Sequence, residues 1–156
     1  MTYKEKAIEL FMNGANCAQA VFAAFSPMTG IDYELALRLS SSFGGGLGRQ
    51  REVCGAVSGM CMVAGVLYGY SNLSDDAEKK EHYRMIQELC SAFRERFGTI
   101  ICRELLDEKR TVVWSDPSPR TAEYYRQRPC AAQVGIAAEI IENYIMTQPP
   151  KARASV

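Results

Sequence analysis

The chain has 156 residues, 47% hydrophobic and 23% charged, the balance of a soluble globular protein with a core of its own. Lys plus Arg and Asp plus Glu each number 18, and no dense basic cluster occurs, so the sequence offers no charge to nucleic acid or to an anionic membrane. The N-terminus, Met-Thr-Tyr-Lys-Glu-Lys, has no apolar export core, and the expected compartment is the cytoplasm. Thiols stay reduced there, so cysteines serve metals or catalysis more often than structural disulfides.

The hydrophobic period is helical almost throughout. Residues 3–13 form an amphipathic first helix closed by Gly14. Asn16 caps a second, whose apolar stripe is Cys17, Val21, Phe25 and Met28. Asp32 caps a third that ends near Phe43. A glycine-rich stretch, FGGGLGR, leads into a central helix from about Glu52 to Tyr68. Val53 to Gly69 carries no charge, but it is short for a membrane span and rich in glycine, so it reads as a buried helix.

A long charged helix starts near Asp76, presents Tyr83, Ile86, Cys90, Phe93 and Phe97 inward, and stops at Gly98. Thr99 starts a further helix with Cys102, Leu105 and Leu106. Residues 107–117 fit no long helix and read as a surface excursion, with Trp114 pinning it and a weak strand-like alternation over Thr111 to Trp114. Ser118-Pro119 is a cap and first-turn pair for a short helix through Gln127. Pro129 opens the last helix, with the stripe Cys130, Val134, Ala137, Ile141 and Ile145. The expectation is one all-α domain over 1–147, a bundle of about six or seven helices around the central one, with a frayed tail at 148–156.

Four of the six cysteines, Cys17, Cys54, Cys102 and Cys130, fall within a turn of a predicted helix start. Unpaired N–H groups there stabilise a thiolate, the form that binds metal or attacks a disulfide. No CxxC occurs, so any shared site must be assembled by folding from four separate segments. Cys61 lies seven residues beyond Cys54, roughly 10 Å along one helix, and Cys90 sits in an aromatic stripe; both read as core cysteines.

Gly44, Gly45, Gly46 and Gly48 match neither the dinucleotide nor the phosphate-loop pattern. They suit either a tight turn between helices or an N–H-lined concavity for an anionic group, which Arg49 and Arg51 would favour. Gly55 and Gly59 share a helix face and admit a close neighbour, and Ser58, one turn past Cys54, is placed to bond either to its sulfur or back to a helix carbonyl. His82, the single histidine, stands in KKEHYR and reads as solvated surface, which leaves no support for a Cys-His or Ser-His-Asp arrangement.

The ordered set NCAQAVF, FGGGLGR, CGAVSG, FG-x3-C-x2-LL and PC-x3-V resembles the C_GCAxxG_C_C family of redox-active proteins over most of the chain. The family's four recurring cysteines map onto Cys17, Cys54, Cys102 and Cys130. The resemblance implies a redox role acting with a partner protein, and an iron–sulfur cluster as its cofactor. Four readings stay open: electron transfer through a cluster, thiol–disulfide exchange, a structural zinc site, and a plain helical interaction module, each as a monomer or a homo-oligomer.

Overall fold

The computed structural model describes residues 1–106, 117–127 and 129–151. The excursion around Trp114, the alternation at 111–114 and residues 152–156 of the expected tail lie outside them.

Local capping decides most of the helix starts. Helix α1, Tyr3–Met12, opens on a reciprocal box in which the Thr2 hydroxyl accepts from the Glu5 N–H and Glu5 accepts from the Thr2 N–H. Helix α2, Cys17–Ala24, repeats the device with Asn16 and Gln19. The stripe predicted to continue to Met28 is broken at Phe25, where Pro27 starts a separate turn, α3, Ser26–Thr29. Asp32 caps α4, Tyr33–Ser40, as expected. That helix ends three residues early, because Ser41–Phe43 tighten into a 3-10 turn. The glycine stretch contains α5, Gly44–Leu47, interrupted by left-handed residues.

The central helix α6 runs Gly55–Tyr68, and Cys54 is its cap rather than part of its first turn. The later start has a clear cause. Val53 pairs with Ile101 in an isolated antiparallel bridge. The Cys54 N–H donates to Ile100 O at 2.7 Å and the Cys102 N–H to Glu52 O at 2.6 Å. These extended bonds hold residues 52–54 out of the helix.

Asp75 caps the 22-residue α7, Asp76–Phe97, which ends at Gly98 with φ +83°. Its buried residues are Met85, Leu89, Cys90 and Phe93, while Tyr83 faces out. A single turn, α8, spans Cys102–Leu105. Helix α9, Ala122–Gln127, begins later than expected: the Thr121 hydroxyl accepts from the Tyr124 N–H, and Ser118 instead bonds to Arg49. Helix α10, Cys130–Thr147, buries the whole predicted stripe.

The class is therefore all-α, with extra short helices beyond the number expected. Helix α6 is the buried centre, packed against α2, α10 and α7, while α1 lies across α10 and α2. Phe11, Phe22, Phe25, Met60, Leu89, Phe93 and Ile141 fill the space between them. Each such side chain contributes roughly 1.5–3 kcal/mol on burial. Two glycines set how closely α2 approaches α6. A methyl on Gly55 would sit 3.1 Å from the Ala18 nitrogen, and one on Gly59 2.8 Å from the Ala18 oxygen. Among the described residues no helix is long and apolar enough to cross a membrane.

Candidate functional site: a cavity walled by four cysteines

Cys17, Cys102 and Cys130 are each the first residue of a helix, and Cys54 is the residue just before one. The helix starts gather around one cavity of about 420 Å³ that all four cysteines line. Close packing of α2 on Gly55 and Gly59 brings Cys17 beside Cys54. The 52–54/100–102 bridge brings Cys54 beside Cys102. Cys130, at the start of α10, lines the same cavity as Cys17. All six cysteines of the chain are free thiols. Among the described residues, no three of His, Cys, Asp and Glu converge tightly enough to hold one metal ion.

The glycine loop forms one wall. Gly45 and Gly46 adopt φ of +67° and +70°, which glycine reaches without penalty. The close approach is as demanding as the torsion: a methyl on Gly46 would stand 2.7 Å from both the Cys102 Cβ and the Glu52 nitrogen, and one on Gly44 would overlap the Asn16 side chain. The loop also holds three non-glycine residues, Leu47, Arg49 and Arg51, at φ of +70°, +68° and +62°. Left-handed torsions in such residues cost about 1–2 kcal/mol each and gather at functional sites. Internal bonds hold them there, including Gly48 N–H to Ser42 O at 2.9 Å, Arg51 N–H to Gly45 O at 3.1 Å and Glu52 N–H to Gly46 O at 2.9 Å. These N–H groups, from Gly48 onward, tie the turn together from within.

Charge enters through that strained loop. The Arg51 guanidinium lies 4.0 Å from the Cys102 sulfur. Arg49 also lines the cavity and donates to the Ser118 hydroxyl at 3.2 Å. Pro117, Ser118, Arg120 and Tyr124 also line the cavity. Arg120 is anchored there by carbonyl bonds to Phe11 and Ala15 and by lying 4.8 and 4.9 Å over the Phe11 and Tyr124 rings.

Burial reverses the expected effect of the helix starts on thiol acidity. Cys54 is 3% exposed, and its pKa is pushed up from 9.0 to about 12 by burial. The N–H groups of Val57 and Ala56 pull it down without closing a regular capping bond, and they do not compensate. Cys17 is also held well above the ordinary thiol value, first by its hydrogen bond to Cys130, then by burial and the neighbouring sulfurs. With nothing bound, Cys17 and Cys54 hold their protons at neutral pH.

Gly44, Gly45, Gly46, Arg49 and Gly55 thus line the cavity together with the four cysteines, and Ser58 does not. Ser58 sits half-buried one turn along α6, its N–H donating to the Cys54 carbonyl at 3.0 Å. His82 does not line the cavity, and it is half-buried near the Tyr70 ring rather than solvated. Sequence reasoning missed Pro117, Ser118, Arg120 and Tyr124, the Asn16 side chain, which lines the cavity and donates to the Ser41 carbonyl at 3.1 Å, and the buried Gln133. Gln133 left a signal, since it is a polar residue one turn after Cys130 in an otherwise apolar helix start. Nothing in the residue types marks the others.

Residues 15–144 match the model of the family described as "Putative redox-active protein (C_GCAxxG_C_C)". No curated protein and no solved structure matches the chain. The chain belongs to the C_GCAxxG_C_C family.

Proposed function

We propose that this member of the C_GCAxxG_C_C family transfers electrons through an iron–sulfur cluster held by Cys17, Cys54, Cys102 and Cys130. The observation that carries the reading is the convergence of thiols from four separate segments on one cavity of about 420 Å³. Four cysteines are the donor set such a cluster takes, and one bound there would supply one-electron chemistry. Zinc suits the geometry less well. A tetrahedral ion at Zn–S distances near roughly 2.3 Å needs its sulfurs drawn tightly together. Thiols spread around a cavity suit a larger group.

The chain's own residues supply the surroundings. Arg51 offsets negative charge at Cys102, and Arg49 adds to it from the same wall. Cys54, Cys102 and Cys130 are 3%, 8% and 6% exposed, which keeps water from most of the sulfur surface. The Arg49–Ser118 bond ties the glycine loop to the 117–124 wall and so governs the approach of a redox partner.

A second reading takes Cys17 and Cys130, which line the same cavity, as a dithiol pair. There the pair passes two electrons and two protons to a partner's disulfide, which is reduced to two thiols while the pair closes. Single Cys→Ser replacements separate the two. Under the cluster reading each of C17S, C54S, C102S and C130S lowers bound iron. If C54S and C102S behave like wild type while C17S and C130S abolish disulfide reduction, the exchange reading replaces it.

A further inference from the structure

The cavity that the four cysteines line is also lined by Arg120 and Gln133. We infer that it is a binding site for a small oxyanion, a carboxylate or an inorganic ion such as sulfate, recognised by the Arg120 guanidinium and the Gln133 amide. This goes beyond the electron-transfer reading, because it names the class of small molecule that comes beside the sulfurs and rests on two residues that are not cysteines.

Arg120 brings a fixed cation. Its guanidinium donates to the Phe11 carbonyl at 3.4 Å and to the Ala15 carbonyl at 3.2 Å, and it lies 4.8 and 4.9 Å over the Phe11 and Tyr124 rings. Carbonyls and ring faces hold a guanidinium in place without cancelling its charge. Among the described residues no Asp or Glu pairs with Arg120, and none lines the cavity. Arg49 and Arg51 line it as well. A cleft whose charged lining is of one sign concentrates small ions of the other.

Gln133 is an independent observation. It is 2% exposed, and the other buried polar residue, Ser40, is satisfied by the Ala36 carbonyl at 2.7 Å. The Gln133 backbone N–H is paired with the Pro129 carbonyl at 3.1 Å, but among the described residues no hydrogen bond meets its side-chain amide. A buried amide without a partner is destabilising, and native chains keep few of them. On the wall of a cavity, a ligand completes it. The amide offers two N–H donors, the guanidinium offers a planar fork, and the oxygens of one anion accept from both.

The test is calorimetric titration of the reduced full chain with sodium sulfate and, separately, with sodium acetate, at constant ionic strength in chloride, while the Gln133 side-chain amide resonance is followed by NMR. The expected result is a single saturable site whose midpoint matches a shift of that resonance. The tighter of the two probes assigns the ligand, sulfate to the inorganic oxyanions and acetate to the carboxylates. R120Q and Q133M should each weaken binding about tenfold or more, while R120K, which keeps the charge and loses the fork, should lose less than R120Q. Circular dichroism verifies that the variants fold, and the wild-type resonance shift does not depend on them. A Gln133 resonance that neither anion moves, or binding of equal strength in wild type, R120Q and Q133M, overturns the inference. Iron measured on the same samples reports on the cluster separately, so either conclusion can fail without the other.

Discussion

The Cβ of Cys102 lies 2.7 Å from the point where a side chain on Gly46 would begin. The glycine is the space in which a cysteine of the cavity stands, which explains why the run of glycines precedes a thiol-rich segment. Gly46→Ala meets both this contact and a φ of +70°. We expect it to lower unfolding stability by about 2–4 kcal/mol and to reduce iron binding. Gly48→Ala is the control, since its φ of +59° is unfavourable but its methyl would meet nothing within 4 Å. It should lose about 1 kcal/mol and leave iron binding intact. Urea denaturation and iron content check both.

Gly55 makes the same argument at the helix interface. Its methyl would press on the Phe43 carbonyl at 2.9 Å and on the Cys17 Cβ at 3.1 Å. Gly55→Ala should push α2 away from α6, with a loss of about 1–3 kcal/mol and of Cys17 as a ligand. On the same helix Gly65 faces open space, so Gly65→Ala should stabilise by about 0.5–1 kcal/mol. Thermal unfolding of the two variants side by side should give shifts of opposite sign.

Leu47 tests the strain held in the loop. Its side chain is 44% exposed while its backbone sits at φ +70°. Leu47→Gly removes the left-handed penalty and little buried surface, and should raise stability by about 1 kcal/mol. A loss of similar size in denaturant unfolding would mean that the Leu47 side chain contributes more than its torsion takes away.

Asn16 is both the cap of α2 and a strut: its side chain accepts from the Gln19 N–H at 2.9 Å and donates to the Ser41 carbonyl at 3.1 Å. Asn16→Ala should lower stability by about 1–2 kcal/mol. Asn16→Asp keeps the cap and loses the donor to Ser41, so it should lose about 1 kcal/mol or less in the same chemical denaturation assay.

The raised Cys54 pKa carries a pH signature in the metal-free, reduced chain. The folded state favours the protonated thiol up to about pH 12, whereas the unfolded thiol ionises near 9.0. Its contribution is therefore complete below pH 9 and declines as pH rises toward 12, because the unfolded state then binds fewer protons. Denaturation midpoints between pH 8 and 11 should fall more steeply for wild type than for Cys54→Ala.

The helical class, the Asn16, Asp32 and Gly98 boundaries and the stripe of α10 were legible because each depends on neighbours within a turn or two. The grouping of Cys17, Cys54, Cys102 and Cys130 as helix-start residues was legible for the same reason. What escaped was the non-local part. Cys54 precedes its helix because a bridge to Ile101, far along the chain, holds it extended. Ser118 does not open a helix; the Thr121 hydroxyl accepts at the start of α9, and Ser118 accepts from Arg49, far back in the sequence. Leu47, Arg49 and Arg51 are unremarkable residue types whose left-handed torsions are imposed by the loop's closure. The effect of burial on Cys54 needed the whole cavity.

The most direct test is purification under strict exclusion of oxygen, followed by iron and acid-labile sulfide analysis and visible absorption. Iron and sulfide in comparable amounts, a broad visible band bleached by a reductant, and loss of all three in each of C17S, C54S, C102S and C130S are the predicted results. A colourless protein without iron or sulfide, unchanged by reconstitution with both, would contradict the account.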